Sequence, residues 1–193
     1  PILLNSLTSV VTTSDAGAGV GYTGIRIRGI NAQSTNITIN GIPYNDAESL
    51  GTFWVDLPDF ASSVENLQLQ RGVGTSTNGS SAFGASINIL TNLISKTPYF
   101  ENSNSIGSYN TTKNTFKFST GILNDSFEFS GRLSKIDSDG YIKRSSSDLK
   151  SYFLQVNYKK ENTLIKALSF GGHEITYQAW NGIDEETLQS DRT

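Results

Sequence analysis

Four short apolar segments, separated by glycine-rich turns, constrain the first half of this 193-residue chain most strongly. They lie in the stretches 23–29, 37–43, 64–72 and 83–91. In the first stretch, Arg26 and Arg28 alternate with isoleucines, which predicts a strand with both arginines on one face. From before the third stretch into its first residues, the apolar spacing over residues 57–66 predicts a helix. Together these segments predict a small mixed α/β unit.

A different pattern follows Pro98, where apolar and polar residues alternate with a period of two over longer segments. We expect strands at 104–109, 115–122, 126–136, 150–158 and 164–170. Their lengths approach the ~9–11 residues that a tilted membrane-spanning strand needs. Two connections are tight and one is long, as in outer-membrane barrels: 123–125, 160–162 and 137–148. A soluble antiparallel sheet with one wet face is the alternative, and alternation alone does not separate the two.

Composition argues against several classes of function. The net charge of −3 gives no reason to expect nucleic acid as a partner. The chain has no cysteine, which excludes disulfides and thiolate metal sites. Its one histidine, His173, precedes Glu174 in a predicted strand, where neighbouring side chains point to opposite faces. We therefore expect no enzyme, no metal site and no cofactor, and because no apolar run is long enough for a spanning helix, any membrane contact must be made by strands.

The four stretches read TGIRIRG, ITINGIP, VENLQLQRG and FGASINILT. In this order and spacing they resemble the plug domain of TonB-dependent outer-membrane receptors. The resemblance implies an α+β plug domain followed by antiparallel transmembrane β-barrel strands, as a fragment of a plugged 22-stranded barrel. On this basis we expect a plug at 1–93, a linker at 94–102 and the N-terminal barrel strands at 103–193. Because five strands cannot close a barrel, we expect the chain to be incomplete.

The resemblance also implies a function. Receptors of this family carry out TonB-dependent active transport of a scarce ligand, such as siderophore-bound iron, cobalamin or haem, across the outer membrane. The implied partners are TonB with ExbB and ExbD, a small-molecule ligand and outer-membrane lipid. The plug would lie in the barrel lumen and gate it. The alternative, from another class, is a soluble β-rich binding or adhesion module.

Two groups of plug residues are candidates for function. Aromatic and polar side chains interleave on two loops, which suits ligand binding at the plug apices: Tyr22, Tyr44, Asn45, Asp46, Phe53 and Trp54. Inward packing of Phe53 and Trp54 is the alternative. The resemblance further implies ion pairs between plug and barrel wall, with arginines facing wall glutamates, at Arg26, Arg28, Glu65 and Arg71. The alternative is that these arginines lie on an exposed face in surface pairs worth ~0–1 kcal/mol.

Overall fold

The computed structural model describes residues 2–73, 83–91, 93–177 and 182–191. Its N-terminal strands are β1 (Val10–Ser14), β2 (Thr23–Ile27), β3 (Thr35–Ile39), β4 (Ile42–Pro43), β5 (Val64–Arg71) and β6 (Ala85–Thr91). Short 3₁₀ turns lie at Ile2–Ser6, Ala32–Ser34, Trp54–Asp56 and Phe60–Ser63. The later elements are β7 (Tyr99–Ile106), β8 (Thr112–Ser119), β9 (Phe127–Ser138), β10 (Ser147–Lys160), β11 (Thr163–Thr176) and the helix α1 (Glu185–Ser190).

The N-terminal region, which we call the plug, is built on a four-stranded sheet of order β4-β3-β6-β5. Strands β3 and β6 pair in parallel, and this places Ile37 beside Ile87 and Ile39 beside Ile89. All four isoleucines are buried. Strands β1 and β2 form a separate antiparallel pair. Burial on both sides of β3 explains why the apolar core of the plug centres on this parallel pair.

The second region, which we call the wall, is an antiparallel meander in which β7 to β11 pair in chain order. Side chains alternate between an inner face toward the plug and an outer face. On β9 and β10 the inner face is buried and rich in polar groups, including Glu128, Arg132, Gln155 and Asn157. The outer face exposes large apolar side chains: Phe127, Phe129, Leu133, Tyr152, Leu154 and Ile165. The predicted alternation is therefore confirmed. Polar side chains lie on the buried inner face and apolar side chains on the exposed outer face, which is the reverse of the arrangement in a soluble protein.

Several predicted boundaries were wrong. No α-helix forms at 57–66 and only the 3₁₀ turn Phe60–Ser63 does, because Asp59 has a left-handed backbone (φ 51°) that ends any α-helical run and Val64 already begins β5. Strand β2 ends at Ile27, since Arg28 and Gly29 both have positive φ and form a turn, so the two arginines do not share a strand face. Strand β7 covers Tyr99–Ile106 and not 104–109, so residues 99–102 of the expected linker lie in the wall. In the part of the chain that the structure describes, no helix has the length and apolar content to cross a membrane.

Candidate functional site

The plug meets the wall through residues 58–60, which we call the anchor. The anchor follows the 3₁₀ turn Trp54–Asp56 and precedes the turn Phe60–Ser63. At its centre, Asp59 adopts φ 51° and ψ 23°, a left-handed conformation that aspartate tolerates better than most residues. This local geometry turns consecutive side chains of the anchor toward different strands of the wall.

The Asp59 carboxylate lies between two cations of the wall. The Lys113 ammonium is 2.5 Å from Oδ1, and the Arg132 guanidinium is 3.3 Å from Oδ2. Arg132 also donates to the backbone carbonyl of Asp59. The Asp59 and Arg132 side chains are only 3% and 2% exposed, whereas Lys113 is 34% exposed. Burial of Asp59 is thus compensated by charge on two neighbouring strands, β8 and β9.

Three hydroxyl groups complete the surroundings of this carboxylate. Ser134 and Thr115 on the wall donate to Oδ2 at 2.6 and 2.9 Å, and Ser62 on the plug donates to Oδ1 at 2.6 Å. Burial alone would raise the pKa of Asp59, but the hydrogen bonds from Lys113, Ser134 and Ser62 and the charge of Lys113 lower it below its ordinary value. Asp59 is therefore ionised at neutral pH, and we call Asp59, Lys113 and Arg132 the charged cluster.

The other two anchor residues make apolar contacts with β10 and β11. The Phe60 ring packs edge-on against Phe153 and Phe170, with centroid distances of 5.9 and 5.2 Å. Pro58 lies against the backbone of Gly172, where a β-carbon would come within 3.1 Å of the Pro58 ring. The anchor therefore contacts four consecutive wall strands, by charge on one side and by aromatic packing on the other.

Further contacts join the plug to the wall. Thr91, at the end of β6, donates to the Gln155 side chain at 2.9 Å and is itself held by Asn40. In the glycine-rich loop between β1 and β2, the Ala16 carbonyl accepts a hydrogen bond of 2.8 Å from the backbone of Tyr141. The loop between β9 and β10 thus rests on the plug, and the junction extends along the wall on both sides of the anchor.

The residues predicted for ligand binding have different surroundings. Tyr44 and Trp54 are half-buried and pack against the core, and Tyr44 contacts the wall through Phe170 at 6.2 Å between centroids. Burial, followed by the charge of Asp56, raises the pKa of Tyr44. Inward packing, the alternative for Trp54, is what the structure has, while Phe53 remains 53% exposed.

The other three candidates lie on the same two loops. The Asn45 side chain holds its own loop, accepting from Ile37 at 2.7 Å and donating to two backbone carbonyls. Asp46 is exposed and accepts from the backbone of Ser49, which lowers its pKa. Tyr22 is half-buried. Among the six, Asp46 and Phe53 therefore present the most accessible side chains, and a ligand-binding role for the set stays a prediction.

The residues predicted to pair with the wall lie elsewhere on the plug. Arg26, Arg28, Glu65 and Arg71 are all exposed, and none enters an ion pair within the described residues. Arg71 donates instead to the backbone carbonyl of Thr8 at 2.8 Å. The pairing of the three arginines with wall glutamates, and the role of Glu65 in plug–wall ion pairs, therefore stay predictions.

The described junction uses the opposite polarity, a plug carboxylate between wall cations. Asp59 was missed because it fell inside the predicted helix. The signal that could have found its partners is a repeated cation-x-hydroxyl pattern, at Lys113 with Thr115 and at Arg132 with Ser134. Each pair falls on one face of its strand. Within the described ranges, no three histidine, aspartate or glutamate side chains group as metal ligands.

Known proteins share this architecture. Residues 2–86 match the TonB-dependent Receptor Plug Domain family. The ferric citrate transporter FecA in its unliganded form is similar over 99% of this chain and 31% of its own, with 18% identity and a TM-score of 0.74. For the copper transporter OprC the coverage is 91% and 28%, the identity 15% and the TM-score 0.75. The ferric yersiniabactin uptake receptor FyuA from Yersinia pestis is similar over 89% of this chain and 28% of its own, with 18% identity and a TM-score of 0.65.

A plug packed on an antiparallel strand wall is the fold of TonB-dependent receptors, which comprise receptors and transporters rather than enzymes. The plug region therefore belongs to the TonB-dependent receptor plug family, and the antiparallel strands after it have the fold of the solved receptors, so the resemblance seen in the sequence is confirmed. At these low identities the solved structures show the fold alone. The chain spans less than a third of the length of the three solved proteins. No curated protein matches the sequence significantly.

Proposed function

We propose that this chain is the plug and the N-terminal wall of a transporter that imports a scarce small-molecule ligand across the outer membrane. The observation that carries the proposal is the junction itself. A plug is fixed by the buried Asp59 to the polar inner face of a wall whose outer face is apolar. This arrangement suits a wall that has lipid outside and a gating domain inside.

The dimensions of the outer face support the membrane location. On β10, exposed Lys150 and Lys160 bound a stretch whose outer-facing residues between them are Tyr152, Leu154, Val156 and Tyr158. Ten residues at ~3.3 Å each give ~33 Å along the strand, and a tilt of ~40° reduces this to ~25 Å along the membrane normal. That is the height of the apolar band in outer-membrane barrels. A soluble binding or adhesion module would have no use for such a band.

The proposed mechanism follows from where energy is available. An outer membrane without nucleotide supply must receive energy from the inner membrane, and in this family TonB with ExbB and ExbD would deliver it. Ligand binding at the plug apices would shift the plug toward a state that TonB can engage. The accessible apex residues Asp46 and Phe53 are the first candidates for ligand contact. The exposed arginines Arg26, Arg28 and Arg71 are candidates for pairing with wall carboxylates.

Uptake in cells tests the proposal. Cells producing the full-length receptor should take up one of a panel of labelled ferric siderophores, cobalamin or haem, and should lose this uptake when TonB is deleted. Surface binding of the same compound should survive the deletion. Uptake that is equal with and without TonB would refute the transport proposal. Recovery of the full-length protein in the soluble fraction would favour the binding or adhesion module.

A further inference from the structure

A cavity of about 550 Å³ lies at the junction between plug and wall. Trp54 and Leu57 of the plug and Ile136 and Leu149 of the wall give it mostly apolar sides. Lys113 and Asp59 of the charged cluster also reach its surface. An apolar cavity with a few convergent charged groups is the usual form of a small-molecule site.

The charged cluster carries more positive than negative charge, since two cations share the one carboxylate of Asp59. The two cations differ in how firmly they are held. Arg132 is 2% exposed and also donates to the Asp59 backbone and to Ser151 of the wall at 3.2 Å, so it is fixed. Lys113 is 34% exposed, and its ammonium contacts Asp59 and Ser62 at 2.5 and 3.0 Å. Lys113 is therefore the cation that an incoming anion can reach.

We propose that this cavity binds a ligand with an acidic group on an apolar or aromatic body, and that the acidic group competes with Asp59 for Lys113. The apolar body would lie against Trp54 and Leu149, and the carboxylate would meet the exposed side of the ammonium. Glu65 also lines the cavity, but it is exposed to solvent, where salt weakens its repulsion of an anion.

The consequence for the plug follows from the contacts of Lys113. Its two described side-chain partners, Asp59 and Ser62, both belong to the plug. A ligand that takes Lys113 therefore removes bonds between plug and wall. The anchor keeps its remaining contacts, which are Arg132, the hydroxyl groups of Thr115 and Ser134, and the packing of Pro58 and Phe60. The inference rests on the proposed transport function in treating this cavity as part of the import route.

Benzoate and benzamide are suitable probes, because they have nearly the same shape and differ in charge. Hydrogen exchange of the anchor peptide, residues 57–64, would be measured by mass spectrometry in the full-length receptor. Its reporters are the amides of Phe60 and Ser62, which donate to the carbonyls of Leu57 and Asp59. Saturating benzoate should speed this exchange by about fivefold to thirtyfold, the factor for a loss of one or two kcal/mol. Benzamide should leave it unchanged.

Substitution of two lysines tests whether Lys113 is the cation that contacts the acidic group of the ligand. Lys113→Met should speed exchange of the anchor by a similar factor and abolish the response to benzoate. Lys117→Met is the matched control, since Lys117 lies on the same face of β8 and forms no ion pair within the described residues. It should respond to benzoate as the unmodified receptor does.

Two results would overturn the inference: an unmodified receptor whose anchor exchanges no faster with benzoate than with benzamide, or a Lys113→Met variant that still responds. The first comparison needs no substitution and holds even if a variant does not fold. Loss of TonB dependence in the uptake assay would refute the transport proposal without changing these exchange rates, so the two failures are distinguishable.

Discussion

Replacing Asp59 by asparagine tests the junction most directly. Asparagine has nearly the same shape and also tolerates a left-handed backbone, so the change mainly removes the negative charge. It leaves Arg132, which is 2% exposed, without its counter-ion. Breaking a buried ion pair from one side costs about 3–5 kcal/mol. Because Lys113 is 34% exposed and water can solvate it, we expect the lower end, about 3 kcal/mol.

A cost of about 3 kcal/mol raises the population of detached plug by roughly 150-fold, at tenfold for each 1.4 kcal/mol. Limited proteolysis of the full-length receptor measures this population when the plug reattaches faster than the protease cleaves. We therefore expect plug cleavage in Asp59→Asn to be faster by about two orders of magnitude, while the wall remains protected.

Asp56→Asn is the matched control for this experiment. Asp56 lies three residues earlier in the same segment, but its side chain is exposed. Its cleavage rate should stay within about twofold of the unmodified receptor, as is usual for a surface change. The reasoning about the charged cluster fails if Asp59→Asn is cleaved no faster than Asp56→Asn.

Three other perturbations probe the same junction. Phe60→Ala should destabilise the plug by about 3–5 kcal/mol in chemical denaturation, because it empties a buried aromatic contact; a loss below about 1 kcal/mol would contradict that contact. Gly172→Ala should lower the free energy of unfolding by about 1–3 kcal/mol, since the new β-carbon would lie 3.1 Å from Pro58 and 2.9 Å from a backbone carbonyl. Gly171→Ala is its control and should lower it less, because the new β-carbon there meets only a movable tyrosine ring. The folded pKa of Asp59 lies below its ordinary 3.8, so its contribution should be complete above about pH 5 and lost as the pH falls below about 4. Proteolysis across this range should show that step in the unmodified receptor and a weaker one in Asp59→Asn.

The wall could be predicted well from the sequence because one rule governs it. Alternation with a period of two assigns each side chain to a face, and Tyr152, Leu154, Val156 and Tyr158 do share the outer face of β10. The residues at which the strands begin and end were less predictable. Strand β10 begins at Ser147 and β7 at Tyr99, because backbone pairing with a neighbour extends a strand through residues whose side chains give no periodic signal.

The plug was harder, and its charged cluster could not be found from local pattern. The spacing of Leu57, Phe60 and Val64 is typical of a helix, yet the buried Asp59 takes a left-handed backbone in the middle of it. Its partners Thr115 and Arg132 lie 56 and 73 residues later. A contact over such a distance depends on how the wall folds around the plug, which local propensity does not encode.

The parallel pairing of β3 with β6 has a consequence for the order in which this chain can assemble. Thr38 and Asn88 share a hydrogen bond across 50 positions, so a chain delivered from its N-terminus must wait for that whole interval before the central isoleucines meet. Strand β7 begins only eight residues after β6 ends. Completion of the plug core and arrival of the first wall strand therefore nearly coincide in time, and slow delivery of the residues between β3 and β6 would leave β3, with its row of isoleucines, open to wrong partners.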